Sequence, residues 1–180
     1  MFLCGVIFVK IGMLGFGGMG KVHAYSVENL KFFYKNLPFK AELHGICCAH
    51  YENALSAKES YGFARAYETE DELIADPEID VIDICTPNIY HYETLKKAIA
   101  AKKHIYCEKP LCTNAAEACE IARLAKAAGI FGGVVFNTRF LLPVIRAREL
   151  VSAGKIGTPL SFGAKFLHSS ATDPEKKAGW

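Results

Sequence analysis

The chain has 180 residues, of which 51% are hydrophobic and 22% charged, so it is too apolar to be disordered and long enough to form a buried core. Lysine and arginine together number 21, against 19 aspartate and glutamate residues, and no long block of like charge occurs. A net charge of +2 therefore argues against a nucleic-acid-binding protein and against one held on an anionic membrane surface.

The seven cysteines, an odd number, lie mostly in apolar runs and form neither a Cys-x-x-Cys pair nor a Cys/His ligand spacing. The sequence therefore predicts reduced thiols in a cytoplasmic protein, with no metal site. The apolar start, residues 1–9, lacks a basic segment and a cleavage site and is too short to span a membrane. We expect the residues before Val9 to be an upstream extension of the reading frame.

From Lys10 onward, short apolar runs alternate with longer helical patterns, which is typical of β-α-β units. The runs predicted to be strands are residues 11–16, 43–48, 81–86, 104–107 and 132–136. Most of them lack the polar alternation of a half-exposed strand, which favours a parallel sheet covered on both faces. Right-handed crossovers would make this a doubly wound α/β fold.

Helical periodicity predicts helices at residues 53–61, 90–102 and 114–128 between these strands. The first is ended by Gly62; the last starts with a capping box, Asn114 with Glu117, and is ended by Gly129.

The pattern changes after Phe136, where residues 142–153 indicate a helix and residues 160–167 an alternating strand. No run is left to pair with that strand. We therefore expect the front part of a longer protein, with a dinucleotide-binding domain at residues 9–137 and the start of a second α/β domain at residues 138–180.

A glycine-rich turn lies between the first predicted strand and the helix that follows it: Gly15, Phe16, Gly17, Gly18, Met19 and Gly20. In this spacing Gly15 permits a tight turn, Gly17 lets the backbone approach a pyrophosphate, and Gly20 lets helix and strand pack closely. The free N–H groups of the helix N-terminus then face the anion. The turn predicts bound NAD or NADP; a purely structural glycine turn is the alternative.

The acidic residue that would hold the ribose 2′-OH of NAD is missing at the end of the second predicted strand. The residues at this place are Cys47, Cys48, Ala49 and His50. Glu42 lies at the other end of the strand. Without a carboxylate a 2′-phosphate is not repelled, which favours NADP, with Cys48 and His50 at the cofactor and His50 or Lys58 facing the phosphate. Otherwise His50 is an ordinary loop residue.

Three further motifs fall at the carboxyl ends of predicted strands, where an open α/β sheet binds its ligand. They are Cys85-Thr86-Pro87-Asn88 followed by His91, Cys107-Glu108-Lys109-Pro110, and Phe136-Asn137-Thr138-Arg139-Phe140. In this order and spacing, together with the glycine turn, they resemble the glucose-fructose oxidoreductase / inositol dehydrogenase (Gfo/Idh/MocA) family over nearly the whole chain. The Glu-Lys-Pro sequence is the most specific element.

The resemblance implies a Rossmann domain followed by an α/β domain with a large open sheet, through which members commonly form homo-oligomers. Members mostly transfer a hydride between NAD(P) and a hydroxyl carbon of a sugar, cyclitol or related polyol. The residues implied to line the cofactor are Thr86, Pro87, Asn88, His91, Glu108 and Lys109. By the same resemblance Lys109 is the catalytic lysine, and Asn137 and Arg139 lie with it at the substrate.

The chemistry of Lys109 agrees with that role. Oxidation of an alcohol carbon requires the hydroxyl proton to be held or removed, and an ammonium group beside a nicotinamide can do this. Each of these residues also has a plainer interpretation. Lys109 would be a solvated lysine in a Lys-Pro turn, His91 a group that caps its helix, and Arg139 a surface arginine.

The family's second acid/base pair, an Asp and a His, lies beyond this chain, so we expect little or no turnover from these 180 residues alone. Two other functions stay open within the resemblance, an NAD-dependent glycosidase and a non-catalytic dinucleotide-binding sensor. A tightly held cofactor with no net change in nicotinamide absorbance would indicate the glycosidase. Partner binding that survives Lys109→Ala would indicate the sensor.

Overall fold

The computed structural model describes residues 7–167 and residue 175. The chain divides into two compact units, Met1–Val135 and Phe136–Trp180. The assignment of a dinucleotide-binding domain to residues 9–137 and of a second domain to residues 138–180 stays a prediction.

The first unit is built on a parallel sheet. Its strands among the described residues are β1 (Ile7–Leu14), β2 (Phe39–Cys47), β3 (Arg65–Tyr67), β4 (Val81–Ile84), β5 (His104–Glu108) and β6 (Gly132–Val135). They form one sheet of order β3-β2-β1-β4-β5-β6, in which all neighbouring strands are parallel. The chain reverses its direction of winding between β1 and β4, which creates the switch point where such sheets bind ligands. The predicted doubly wound α/β fold is confirmed.

Helices connect the strands of this sheet. They are α1 (Gly18–Phe33), α2 (Tyr51–Tyr61), α3 (Glu70–Ala75), α4 (His91–Ala100) and α5 (Ala115–Ala128). Gly62 and Gly129 end α2 and α5 in the left-handed conformation, with φ of 79° and 69°, as predicted. The side chain of Asn114 accepts a hydrogen bond from the Glu117 N–H at 3.0 Å, which confirms the predicted cap of α5. The second half of the predicted capping box is not formed, because the Glu117 carboxylate accepts from the Thr113 N–H instead.

Both faces of the sheet are buried. Successive residues of a strand point to opposite faces, and the neighbours Met13 and Leu14 accordingly belong to different apolar clusters. Met13 packs in a cluster with Ala24 of α1 and Ala54 of α2. Leu14 belongs to the cluster that also holds Leu95 of α4. This two-sided burial explains why the strands lack polar alternation.

Sequence analysis missed β3 and α3, because elements of three and six residues are too short to show a period. A local signal was nevertheless present. Thr69 and Glu72 form a capping box, in which the Glu72 N–H donates to Thr69 Oγ1 and the Thr69 N–H donates to Glu72 Oε2.

Strand β1 begins at Ile7 rather than at the predicted residue 11, and Ile7 and Phe8 pair with Phe39 and Lys40 of β2. The start at residue 11 is wrong because it ignored the apolar residues before Lys10. The rest of the expected upstream extension, residues 1–6, lies outside the described residues.

The second unit contains a short 3₁₀ helix, Asn137–Phe140, and α6 (Leu142–Ser152), close to the predicted helix. The strand predicted at residues 160–167 is wrong: these residues form no strand, and the side chains of Leu160 and Phe162 are almost fully exposed. A strand needs a neighbour for its backbone hydrogen bonds, and the described residues of this unit supply none. The tail from residue 168 on, apart from Glu175, lies outside the described residues.

The six cysteines within the described ranges are free thiols, as expected. No helix in residues 7–167 has the length and apolar character needed to cross a bilayer.

Candidate functional site

The glycine turn begins in a gap between two strand ends. Gly15 has φ of 88°, a left-handed conformation that favours glycine, and its N–H donates to the Cys47 carbonyl at 2.9 Å. A Cβ atom at Gly15 would lie 2.9 Å from the carbonyl oxygen of Cys85. The turn after β1 therefore lies between the ends of β2 and β4, in contact with both, and only glycine fits at position 15.

Gly20 is required for a different reason. A Cβ atom on Gly20 would lie 2.4 Å from the Gly15 carbonyl oxygen, which is backbone and has no room to move. Because Gly20 has no Cβ atom, α1 can approach the end of β1, and its N-terminus lies at the carboxyl edge of the sheet.

Gly17 and Gly18 are exposed, and a Cβ atom on either would have no heavy atom within 4 Å. The packing of the described chain therefore does not require glycine at these two positions. Gly17 precedes α1 and has no side chain with which to cap it, so no side-chain cap takes up the first N–H groups of the helix. An exposed turn of small residues with free N–H groups fits the pyrophosphate of a dinucleotide.

The turn also carries two larger side chains, Phe16 and Met19. The ring of Phe16 makes edge contacts with Tyr61 and Phe63, with ring centroids 4.9 and 5.5 Å apart. Met19 is half-buried. The predicted role of Phe16 and Met19 at the cofactor stays a prediction.

The end of β2 carries no carboxylate beside the turn. Cys48 is half-buried, and burial raises the pKa of its thiol although a hydrogen bond with the Phe16 backbone opposes this. His50 is exposed and precedes α2, without a capping hydrogen bond from its side chain. Glu42 lies in the first half of β2.

His91, the first residue of α4, joins the loops after β4 and β5. Its side chain is buried, with Nε2 2.9 Å from the Thr86 carbonyl and Nδ1 3.0 Å from the Pro110 carbonyl. Pro87 and Asn88 follow Thr86 at the start of a 3₁₀ helix, Asn88–Tyr90. Both ring nitrogens of His91 thus face backbone carbonyls inside the protein, one from each loop. Its place at the cofactor stays a prediction.

A buried charge cluster lies directly beneath the turn. His23 of α1 places Nδ1 2.9 Å from Asp83 of β4 and Nε2 3.3 Å from Glu108 of β5. The Sγ atom of Cys85 lies 3.2 Å from the same Nδ1. These contacts attach the helix that begins at the glycine turn to the ends of two strands.

The charges of the cluster support one another. Burial of His23 disfavours its charged form and by itself lowers the pKa of the imidazole. The hydrogen bond and negative charge of Asp83, together with those of Glu108, outweigh burial, so the pKa of His23 is raised. Burial, together with the negative charge of Asp83, raises the pKa of Cys85 far above its usual range, so this sulfur stays a thiol. A doubly protonated His23 donates to both carboxylates.

Sequence analysis missed His23 and Asp83. The available signal was an aspartate inside an otherwise apolar strand, since a carboxylate is buried only with a partner. The partner itself could not be read from the sequence, because His23 reaches Asp83 only through the close approach of α1 to the sheet.

Glu108 and Lys109 point in different directions. The carboxylate of Glu108 is buried, and its Oε2 accepts a hydrogen bond from the Lys109 N–H at 3.0 Å. The Lys109 residue is exposed, and its peptide bond with Pro110 is cis. Asn137 and Arg139 are exposed in the 3₁₀ helix of the second unit. Their place at the substrate stays a prediction.

The glycine geometry predicts opposite effects of two matched substitutions. Gly20→Ala forces its new methyl group against the Gly15 carbonyl and should lower the free energy of unfolding by about 1–3 kcal/mol. Gly18→Ala, on the same helix with open space, should leave it unchanged or slightly raised. Urea denaturation followed by circular dichroism measures both; equal losses would contradict the close approach of α1.

The raised pKa of His23 predicts a pH dependence of stability. A histidine whose pKa is higher in the folded than in the unfolded state stabilises the folded state when it is protonated. This stabilisation is complete below the pKa of the unfolded state, about 6.5, and is lost as pH rises through the pKa of the folded state. The free energy of unfolding of the wild type should therefore fall as pH rises above about 6.5. This part of the fall should be missing in His23→Gln and kept in His50→Gln, at an exposed residue whose side chain makes no capping hydrogen bond. Identical pH profiles in all three proteins would refute the cluster.

Comparison with known proteins places this geometry in a family. The model of the Gfo/Idh/MocA oxidoreductase family, with its NAD-binding Rossmann fold, matches residues 9–135. A levoglucosan dehydrogenase of Pseudarthrobacter phenanthrenivorans is 33% identical over 172 residues, which are 96% of this chain and 44% of that protein. A myo-inositol 2-dehydrogenase of Thermotoga maritima is 34% identical over 151 residues, which are 84% of this chain and 43% of that protein.

A solved structure of levoglucosan dehydrogenase in complex with NADH and levoglucosan superposes with a TM-score of 0.79 at 33% identity, covering 83% of this chain and 40% of that one. The chain thus spans less than half the length of these relatives. The match of sequence and fold over most of the chain confirms the resemblance: the chain belongs to the Gfo/Idh/MocA oxidoreductase family with the NAD-binding Rossmann fold.

Proposed function

We propose that this chain binds NAD or NADP at the turn between β1 and α1, as part of an oxidoreductase that transfers a hydride to or from a hydroxyl carbon of a sugar, cyclitol or similar polyol. One observation carries the proposal: Gly15 and Gly20 are required by the packing, whereas Gly17 and Gly18 face open space at the N-terminus of a helix. The dehydrogenase names of the relatives supply the substrate class.

The residues of the first unit divide the work of binding. The N–H groups at the start of α1 hold the pyrophosphate, and Thr86, Pro87 and Asn88 at the end of β4 line the ribose and nicotinamide. The Thr86 Oγ1 atom is buried and has no hydrogen-bond partner in the described part of the chain, which leaves it available to a polar group nearby. His91 fixes the loops on which these residues lie.

When bound, the nicotinamide would supply or accept the hydride, so the protein's own residues would have to hold or move the proton. Lys109 follows β5 at the same edge of the sheet, and its backbone is held by the buried carboxylate of Glu108. We assign to its side chain the task of holding or removing the proton of a substrate hydroxyl. Asn137 and Arg139 are proposed to take part in substrate binding in the whole protein, for which a homo-oligomer is also proposed.

The end of β2 bears on the choice between the two cofactors. Cys48, Ala49 and His50 bring no carboxylate against a ribose 2′-phosphate, and His50 is exposed. This favours NADP, whereas the NADH complex of the levoglucosan dehydrogenase relative keeps NAD open. A titration with both cofactors decides between them.

Calorimetric titration of the 180-residue chain with oxidised and reduced NAD and NADP tests the proposal. Binding is expected to fall more than about tenfold in Gly17→Asp, because the new carboxylate fits the open space but repels the pyrophosphate. The matched control is Gly132→Asp, on β6, where a Cβ atom also has open space. Circular dichroism verifies that both variants are folded. Absence of binding by the folded wild type, or equal binding by Gly17→Asp, would overturn the proposal.

A further inference from the structure

A bulge in β2 sets His44 apart from the rest of the strand. Ile11 of β1 pairs with Leu43, but Gly12 pairs with Gly45, so His44 is the extra residue between two matched pairs. Such a bulge redirects a side chain relative to its neighbours. His44 is 4% exposed, which places its imidazole ring in the interior.

The ring of His44 is surrounded by carboxylates that it does not reach. Its Nε2 atom lies 3.8 Å from Glu78 Oε2 and 3.9 Å from Asp76 Oδ2, and its Nδ1 atom lies 3.6 Å from Glu42 Oε1. Neither ring nitrogen makes a hydrogen bond within the described residues. A buried polar group without a partner is costly, so this arrangement points to a missing partner.

That partner should be a cation. The Glu42, Asp76 and Glu78 carboxylates bring three negative charges to the cluster, while Arg65 and Lys10 bring two positive charges. The buried ammonium of Lys103, which donates to the Asp76 carbonyl, adds a third positive charge, but the groups that face the two His44 nitrogens are all carboxylates, which favours a cation between them. The nitrogen lone pair of His44 and two of the carboxylates converge on the same space.

We propose that His44, Asp76 and Glu78 bind a divalent transition-metal ion, with zinc as the preferred metal. One imidazole nitrogen and two carboxylate oxygens form a ligand set that zinc accepts, and the three ligand atoms lie within 4.8 Å of one another. Ligands about 2.0–2.2 Å from zinc are roughly 3.3–3.6 Å apart in a tetrahedron. The observed 3.8 and 3.9 Å need to shorten only slightly.

Glu42 has a separate part in this site. When His44 Nε2 binds the metal, Nδ1 carries the proton and faces Glu42 Oε1. A carboxylate on the far nitrogen of a ligating histidine orients the ring and strengthens it as a ligand. The bulge therefore places Nε2 of His44 towards the metal and Nδ1 towards the Glu42 carboxylate.

Arg65 competes with the metal for the same oxygens. Its guanidinium donates to Asp76 Oδ2 at 2.8 Å and to Glu78 Oε2 at 2.6 Å, and Tyr67 also donates to Asp76 Oδ2. The Arg65 side chain is 53% exposed, so it can withdraw into solvent when the metal binds. The metal would then link His44 of β2 to the segment before β4, in place of the contact that Arg65 makes with this segment from β3.

A second cluster, His23, Asp83 and Cys85, also brings ligand atoms within 4.8 Å. It is the weaker candidate because both nitrogens of His23 already have hydrogen-bond partners. Sequence analysis predicted no metal site because it examined spacing along the chain, and the residues of both clusters converge only in the fold.

The test uses the chelator-treated 180-residue chain, titrated with Zn²⁺ by calorimetry and with Co²⁺ by visible absorption. We expect one ion per chain and no thiolate-to-cobalt charge-transfer band, since no cysteine is among the ligands. His44→Gln and the more exposed Glu78→Gln should each weaken binding at least about tenfold. Arg65→Gln should tighten it, because the competing cation is removed.

Cys85→Ser and His104→Gln are the controls and should bind zinc like the wild type. Zinc should also raise the melting temperature of the wild type and not that of His44→Gln. The proposal is overturned if the folded wild type binds no zinc at micromolar concentration, if His44→Gln binds it equally well, or if Cys85→Ser abolishes binding. A gain of affinity in Arg65→Gln cannot arise from loss of folding, so that variant separates the two effects.

Discussion

The close approach of α1 to the end of β1 is the constraint on which the rest of the first unit depends. No side chain fits at Gly20, because a Cβ atom there would collide with the Gly15 carbonyl oxygen. The approach has two consequences. It brings the free N–H groups at the start of α1 to the switch point of the sheet. It also brings His23, one turn further along α1, into contact with the Asp83 and Glu108 carboxylates. The same backbone contact thus accounts for the position of the free N–H groups at the edge of the sheet and for the buried contact of His23 with two carboxylates.

The buried cluster explains the direction of the residues after β5. A carboxylate as deeply buried as that of Glu108 needs a positive partner and hydrogen-bond donors, and His23 and the Lys109 N–H supply them. Glu108 is therefore held inward while Lys109 emerges at the edge of the sheet. His91 performs the matching task for the loops after β4 and β5, through two backbone carbonyls. The proposed catalytic lysine is positioned by groups that need not touch the substrate.

The features that the sequence predicted correctly are those encoded locally. Apolar runs indicated five of the strands, and Gly62, Gly129 and Asn114 marked helix ends, because turn and cap chemistry acts over a few residues. The short elements β3 and α3 left no period to detect.

The features that the sequence did not predict depend on distant contacts. The partnership of His23 with Asp83 and the position of His44 among carboxylates arise only when helices and strands pack. The prediction of a strand at residues 160–167 was wrong for the same reason. An alternation of apolar and polar residues predicts which side chains share a face, but it does not show whether a neighbouring strand is present to pair with them. Local patterns therefore located the glycine turn but not the charges beneath it.

The central claim is that the exposed part of the glycine turn binds the dinucleotide. Its most direct test is an NMR titration of the ¹⁵N-labelled chain with NADH and NADPH. The account predicts that the largest amide shifts occur at Gly17, Gly18 and the first turn of α1, with smaller shifts at Thr86 and Asn88. Saturable shifts confined to other parts of the chain, with the turn unchanged, would contradict it.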